Sequence, residues 1–144
     1  MKKLAFLILP FLLLPSDSLA KSFGDYQGAV YFRNYDGETI TFNLPGLHPI
    51  IGEKISIRVN GIDTPEIKGK CEKEKYDAQQ AKEMVADILK DAEQITLKNM
   101  ERGKYFRIAA DVIVDGENLA DVLVEAGMAV RYDGGKKTHK WCGG

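Results

Sequence analysis

Apolar and polar positions alternate through Val30, Tyr31, Phe32 and Arg33, so Gly28–Tyr35 reads as a half-buried strand. The dipeptide Asp36–Gly37 is a two-residue hairpin signal. The returning strand, Glu38–Leu44, puts Ile40, Phe42 and Leu44 on one face. The stretch LPGLHPIIG, with two prolines, reads as a loop, and a third strand runs over Glu53–Asn60 with Ile55, Ile57 and Val59 aligned. From Glu72 to Lys90 the period changes. Ala78, Ala81, Val85 and Ile88 recur every three or four residues without Gly or Pro, which predicts an amphipathic helix. Gln94–Met100 and Tyr105–Val114 return to strand patterning, with Arg102-Gly103-Lys104 as a turn between them. A second Asp-Gly, Asp115–Gly116, precedes a short helix over Asn118–Ala126, closed by Gly127. The tail of the domain (131–144) ends in the stretch YDGGKKTHKWCGG, residues 132–144, which reads as loop. Three strands, a helix, two strands and a helix is the order of a five-stranded OB-type barrel, a β-barrel with helices (α+β). A mixed open sheet is the alternative.

The N-terminus changes where this domain is expected to work. Residues 1–20 combine the basic start MKK, the apolar run LAFLILPFLLLP and the small-residue exit SLA, the pattern of a secretory signal peptide cleaved after Ala20. The apolar run is short for a bilayer and carries Pro10 and Pro15; an uncleaved anchor is the alternative. Residues 21–144 then form one secreted or periplasmic domain, free of the membrane once the signal is removed. Setting aside Lys2, Lys3 and Asp17 from 20 basic and 21 acidic residues leaves 18 and 20, a net charge of −2. A global electrostatic grip on a polyanion is thereby excluded, and any such partner needs a local cluster of cations or a metal. Cys71 and Cys142 are an even pair in an exported chain and read as a disulfide, with two free thiols as the alternative. No CxxC or His cluster points to a metal at these cysteines.

Strand parity singles out several charged residues. Arg58 lies off the face shared by Ile55, Ile57 and Val59, and Arg107 off the face shared by Phe106, Ile108, Ala110, Val112 and Val114. Glu38 has the parity of Ile40, Phe42 and Leu44, so this acid belongs at the rim of the core. In the segment IRVNGIDTPE, Gly61 breaks the third strand and Pro65 separates two acids, Asp63 and Glu66. Each feature alone has a plain reading: solvated arginines, an Asx-type turn at Asp63, a helix-start acid at Glu66, a turn residue at Glu38.

Together these segments resemble the staphylococcal nuclease family, the calcium-dependent thermonucleases. YDGETI is similar to the family's hairpin, IRVNGIDTPE to its Arg-then-Asp-Thr-Pro-Glu segment, KYFR with IAADVIVDG to its Lys-Tyr-Gly-Arg strand and following turn, and NLADVLVEAGMA to its next helix. LPGLHPIIG, GKC and YDGGKKTHKWC look like the exported branch of such proteins. The resemblance implies an endonuclease hydrolysing DNA and RNA with low sequence specificity, acting as a monomer and preferring single-stranded or unpaired regions. It would cleave the 5′ P–O bond and leave 3′-phosphate ends. It also implies Ca2+ as cofactor, with Glu38, Asp63 and a Thr64 oxygen, the carbonyl, as ligands. Glu66 would orient or deprotonate the attacking water, while Arg58 and Arg107 would clamp the scissile phosphate. Lys104 and Tyr105 would contact a neighbouring phosphate, and Tyr132 would stack on a base. Two departures bear on these roles: Glu38 stands where the family has Asp, and Phe106 where Gly is usual. His48 and His139 have no partner at ligand spacing and read as surface residues. Two other classes remain: a non-catalytic OB-type module binding single strands, and a protein-binding domain, for which the pattern shows no exposed apolar patch.

Overall fold

The computed structural model describes residues 22–103 and 107–143. Among these residues a curled, mostly antiparallel sheet runs in the order β1-β6-β7-β4-β3-β2. Its strands are β1 (Tyr26–Gln27), β2 (Val30–Asn34), β3 (Thr39–Asn43), β4 (Ile55–Val59), β6 (Ile95–Arg102) and β7 (Ile108–Val114). β4 and β7 run parallel, with Arg58 in register with Ala109. The helix α2 (Glu72–Asp91) falls between β4 and β6 in the chain, as the OB-type order requires. It buries Ala78, Ala81, Val85 and Leu89 on one face. Ile40, Phe42, Ile57, Val59, Leu97 and Val112 fill the core from the sheet, and Leu119 and Leu123 from α3 (Leu119–Glu125). The half-barrel with helices is the α+β, OB-type architecture that the order of elements predicts.

The two Asp-Gly turns exchange roles. Asp115–Gly116 is the true two-residue hairpin turn. Val114 pairs with Glu117 of β8 (Glu117–Asn118), and both turn residues have positive φ, 50° and 92°. Asp36–Gly37 instead lies in a four-residue loop in which the Tyr35 amide donates to the Thr39 carbonyl at 2.9 Å. The Asp36 carboxylate accepts from the amides of Glu38 (3.0 Å) and Thr39 (2.7 Å), and this side-chain turn replaces the tight turn. Gly37 is needed there for closeness. A Cβ on it would sit 2.9 Å from Thr64 Cγ2 and 3.1 Å from Ala81 Cβ.

Two further elements depart from the pattern. The stretch read as loop contains a one-turn helix, α1 (Pro49–Gly52), with Pro at its start and His48 Nδ1 accepting from the Ile50 amide at 3.3 Å. So short a helix buries little, and Leu47, Ile50 and Ile51 stay exposed, a cluster that the alternation does not announce. A short strand that the sequence reading does not announce, β9 (Val130–Arg131), lies just before the looped tail and runs antiparallel to β5 (Ile62–Asp63). No helix among the described residues is long and apolar enough to cross a membrane.

Candidate functional site

β4, β5 and β9 meet at Gly61, and the site is built around that junction. Gly61 has φ of 77°, the left-handed turn that lets the chain leave β4 and start β5. The Tyr132 amide donates to the Gly61 carbonyl at 3.0 Å, continuing the β5–β9 pairing. A cleft of about 640 Å³ opens beside this junction, with Arg58, Arg107 and Tyr132 among its lining residues. The parallel pairing of β4 with β7 explains the meeting of the arginines. Ala109 lies opposite Arg58, and Arg107 immediately precedes β7, so the pairing brings the chain that carries it alongside β4. Lys104 and Tyr105 lie outside the described residues.

Glu38, Asp63 and Thr64 are buried, at 5, 3 and 1 % exposure. Pro65 is fully buried behind them, and the close fit of Gly37 on Thr64 brings the hairpin loop to the segment after β5. Strand parity assigns Glu38 and Arg58 to opposite faces, yet Arg58 Nη1 donates to Glu38 Oε1 at 2.6 Å. Glu38 precedes the first residue of β3, so alternation does not govern its direction. Burial pushes the Glu38 carboxyl up to about 7, with Asp36 and Asp63 adding to the rise; Arg58 and Lys137 oppose it without prevailing.

Three buried oxygens have no hydrogen-bond donor among the described residues: Glu38 Oε2, Asp63 Oδ1 and Thr64 Oγ1. Buried acceptors are ordinarily satisfied; Asp63 Oδ1 is met only by the ion pair with Lys137, and Glu38 Oε2 and Thr64 Oγ1 point to a missing partner. Two carboxylate oxygens and a hydroxyl are the hard donors that calcium takes, and the residues fit a divalent cation of that kind. On Thr64 the unpartnered oxygen is the hydroxyl, whereas the resemblance implies the carbonyl. Glu66 stands apart: its side chain is 61 % exposed and meets Lys137 Nζ at 3.3 Å.

Sequence reasoning missed three residues here. Lys137 Nζ forms an ion pair with Asp63 Oδ1 at 2.5 Å. The Trp141 indole donates to Asp63 Oδ2 at 3.2 Å, and His139 packs edge-on against Trp141 with ring centres 4.3 Å apart. Both groups sit on the tail, which the Cys71–Cys142 disulfide pins beside the acidic segment. Burial would lower the Lys137 ammonium, but Asp63, Glu38 and Glu66 outweigh it and hold its pKa above the ordinary value. The third is Glu74, buried in the first turn of α2, which accepts from the amides of Glu66 (3.4 Å) and Lys70 (3.0 Å) and so shapes the acidic loop. A Cβ on Gly69 would lie 2.5 Å from the Glu74 side chain, so a larger residue there would have to displace that carboxyl from the loop. Basic and aromatic residues crowding before a cysteine was the available signal for Lys137 and Trp141; Glu74 looks like any solvated helix-start acid. Cys71, Glu74 and Cys142 also lie within 4.8 Å of one another, but with the cysteines bonded to each other they are no metal site.

A family model described as staphylococcal nuclease homologue matches residues 56–141, more than half of the chain. The matched span includes Arg58, Asp63, Thr64, Glu66, Arg107 and Tyr132, together with Lys137 and Trp141, and excludes Glu38. None of the curated proteins matches the chain.

Proposed function

Since the chain belongs to the staphylococcal nuclease family, we propose that it is an exported, calcium-dependent phosphodiesterase acting on DNA and RNA with low sequence specificity. The observation that carries this reading is a division within one site. Two arginines line a cleft, and the segments that lead from it carry buried hard oxygens, two of them (Glu38 Oε2 and Thr64 Oγ1) without a partner and one (Asp63 Oδ1) met only by the Lys137 ammonium. A single-strand binder has use for the first and none for the second.

In this reading Arg58 and Arg107 hold the non-bridging oxygens of the scissile phosphate and stabilise the added charge of the five-coordinate transition state. Glu38 Oε1 aims the Arg58 guanidinium, while Oε2 remains for the metal. Glu38, Asp63 and Thr64 would hold calcium, which supplies positive charge at the phosphate and favours ionisation of water. Glu66, exposed and outside that buried set, takes the proton from the attacking water. The water oxygen bonds to phosphorus, the bond to the 5′ oxygen breaks, and that oxygen leaves with a proton from solvent. Tyr132 offers a face on which a base stacks, which favours unpaired strands.

The test is digestion of single-stranded DNA by the mature domain, with calcium and then with EGTA. Cleavage is expected only with calcium, and Arg58→Ala and Arg107→Ala should each lower it by at least ~10², the scale for losing one preorganised contact. Retention of DNA without cleavage would establish the binding module instead. Wild-type rates in both variants would overturn the phosphate clamp.

A further inference from the structure

Both carboxylate oxygens of Asp63 are engaged by the tail, Oδ1 by the Lys137 ammonium and Oδ2 by the Trp141 indole. The same ammonium reaches Glu66 and is felt electrostatically by Glu38. Lys137 therefore interacts with all three acids assigned to the catalytic centre. We infer that Lys137 is a tethered stand-in for the divalent cation: it neutralises the acids while no cation is bound and must leave Asp63 before one binds. The inference rests on the reading of Glu38, Asp63 and Thr64 as a metal site.

Three observations support it. The first is distance. Calcium ligation needs an oxygen at about 2.3–2.6 Å, and the ammonium already stands 2.5 Å from Asp63 Oδ1. Two cations at that distance from one buried oxygen repel strongly, so they exclude one another. The second is need. Asp63 and Glu38 are buried carboxylates near one another, and burying such charges without a counter-charge is costly. The third is tethering. Lys137 lies midway along a strap fixed at one end by the β5–β9 pairing and at the other by Cys142 in the disulfide. A group held that way acts at an effective concentration in the millimolar range or above, which a surface lysine on a loose tail lacks. The Lys137 side chain is also 42 % exposed, so it has solvent to withdraw into.

The consequence is a set point for calcium affinity. If the strap covers the site nine-tenths of the time, apparent affinity falls about tenfold, because only the uncovered fraction binds. The nuclease would then load only where calcium is plentiful.

The experiment is calorimetric titration of the mature, oxidised protein with calcium alone, comparing wild type, Lys137→Ala, Lys137→Arg and Lys140→Ala. Lys140 lines, with Lys137, Asp63, Thr64 and Glu66, a second cleft separate from that of the arginines, but it is not the residue touching Asp63, so it controls for general loss of positive charge. Lys137→Ala is expected to bind calcium at least about fivefold tighter, Lys137→Arg to stay near wild type, and Lys140→Ala to change less than twofold. Thermal melts supply a reading that a merely structural lysine would not give: Lys137→Ala should melt lower than wild type in EDTA and no lower in saturating calcium. A smaller tightening, a weakening, or an equal effect of Lys140→Ala overturns the stand-in while leaving the metal site in place. Absence of calcium binding in every variant overturns both.

Discussion

Glu38 is where burial and charge meet most closely. Its pKa of about 7 lies above the ordinary value of 4.5, chiefly because it is buried. Arg58, Asp36, Asp63 and Lys137 are the charges that act on it. The sign follows from linkage. A carboxyl that holds its proton more tightly when folded stabilises the fold fully below its unfolded pKa. It loses that contribution as pH rises to about 7. In EDTA, the cation-free protein should thus lose stability between about pH 4.5 and 7 through this group, by roughly 3 kcal/mol. Urea unfolding of wild type and Glu38→Gln across this range measures it, since Gln does not titrate and other carboxylates cancel in the difference. Parallel pH profiles would show that Glu38 is ionised throughout. A Glu here also has the reach to give one oxygen to Arg58 while the other stays free, a double duty in which the departure from Asp acquires a structural sense.

At the scale of elements, the hairpin loop, the segment after β5 and α2 meet at Gly37. A Cβ there would fall 2.9 Å from Thr64 Cγ2 and 3.1 Å from Ala81 Cβ, and both neighbours are buried and cannot swing away. Gly37→Ala should force the loop off Thr64, costing about 1–3 kcal/mol as overpacking does, and should weaken calcium binding because Glu38 moves with the loop. Urea unfolding and calcium titration together check this; an unchanged affinity would mean the loop does not set the position of Glu38. The sequence revealed α2 and the five main strands because each has a sustained apolar period set by the core it covers. It misread Asp36–Gly37 as a two-residue turn because a dipeptide does not encode whether a side chain such as Asp36 will take over the turn. β5 and β9, two residues each, are too short for any period, and their pairing depends on contacts between distant segments. Arg58, Asp63 and Arg107 were legible from parity and motif. Lys137 was not, because its place is fixed by a disulfide and a strand pairing, and neither leaves a local pattern.

For the molecule as a whole, the net charge of −2 over residues 21–144 means that binding depends on where charge is held. The disulfide is the feature that holds it. Cys71 and Cys142 are 71 residues apart, and a closed loop of that size stabilises by about 4 kcal/mol in the chain-entropy account, less any strain. Cys71 has a second job: it is the N-cap of α2, with Sγ accepting from the Glu74 amide at 3.4 Å. The two contributions separate by choice of substitution. Cys71→Ser with Cys142→Ser removes the cross-link but keeps a capping oxygen. Cys71→Ala with Cys142→Ala removes both, and a lost cap costs about 1 kcal/mol. In urea the Ser pair should unfold earlier than wild type and the Ala pair earlier still. The Ser pair should also bind calcium more tightly than wild type, because a strap anchored only at β9 holds Lys137 at lower effective concentration. Equal unfolding midpoints for wild type and the Ser pair, or two alkylatable thiols in the native protein under oxidising conditions, would remove the disulfide from this account. A destabilised Ser pair with unchanged calcium affinity would leave the cross-link as a staple of the fold and detach it from the site.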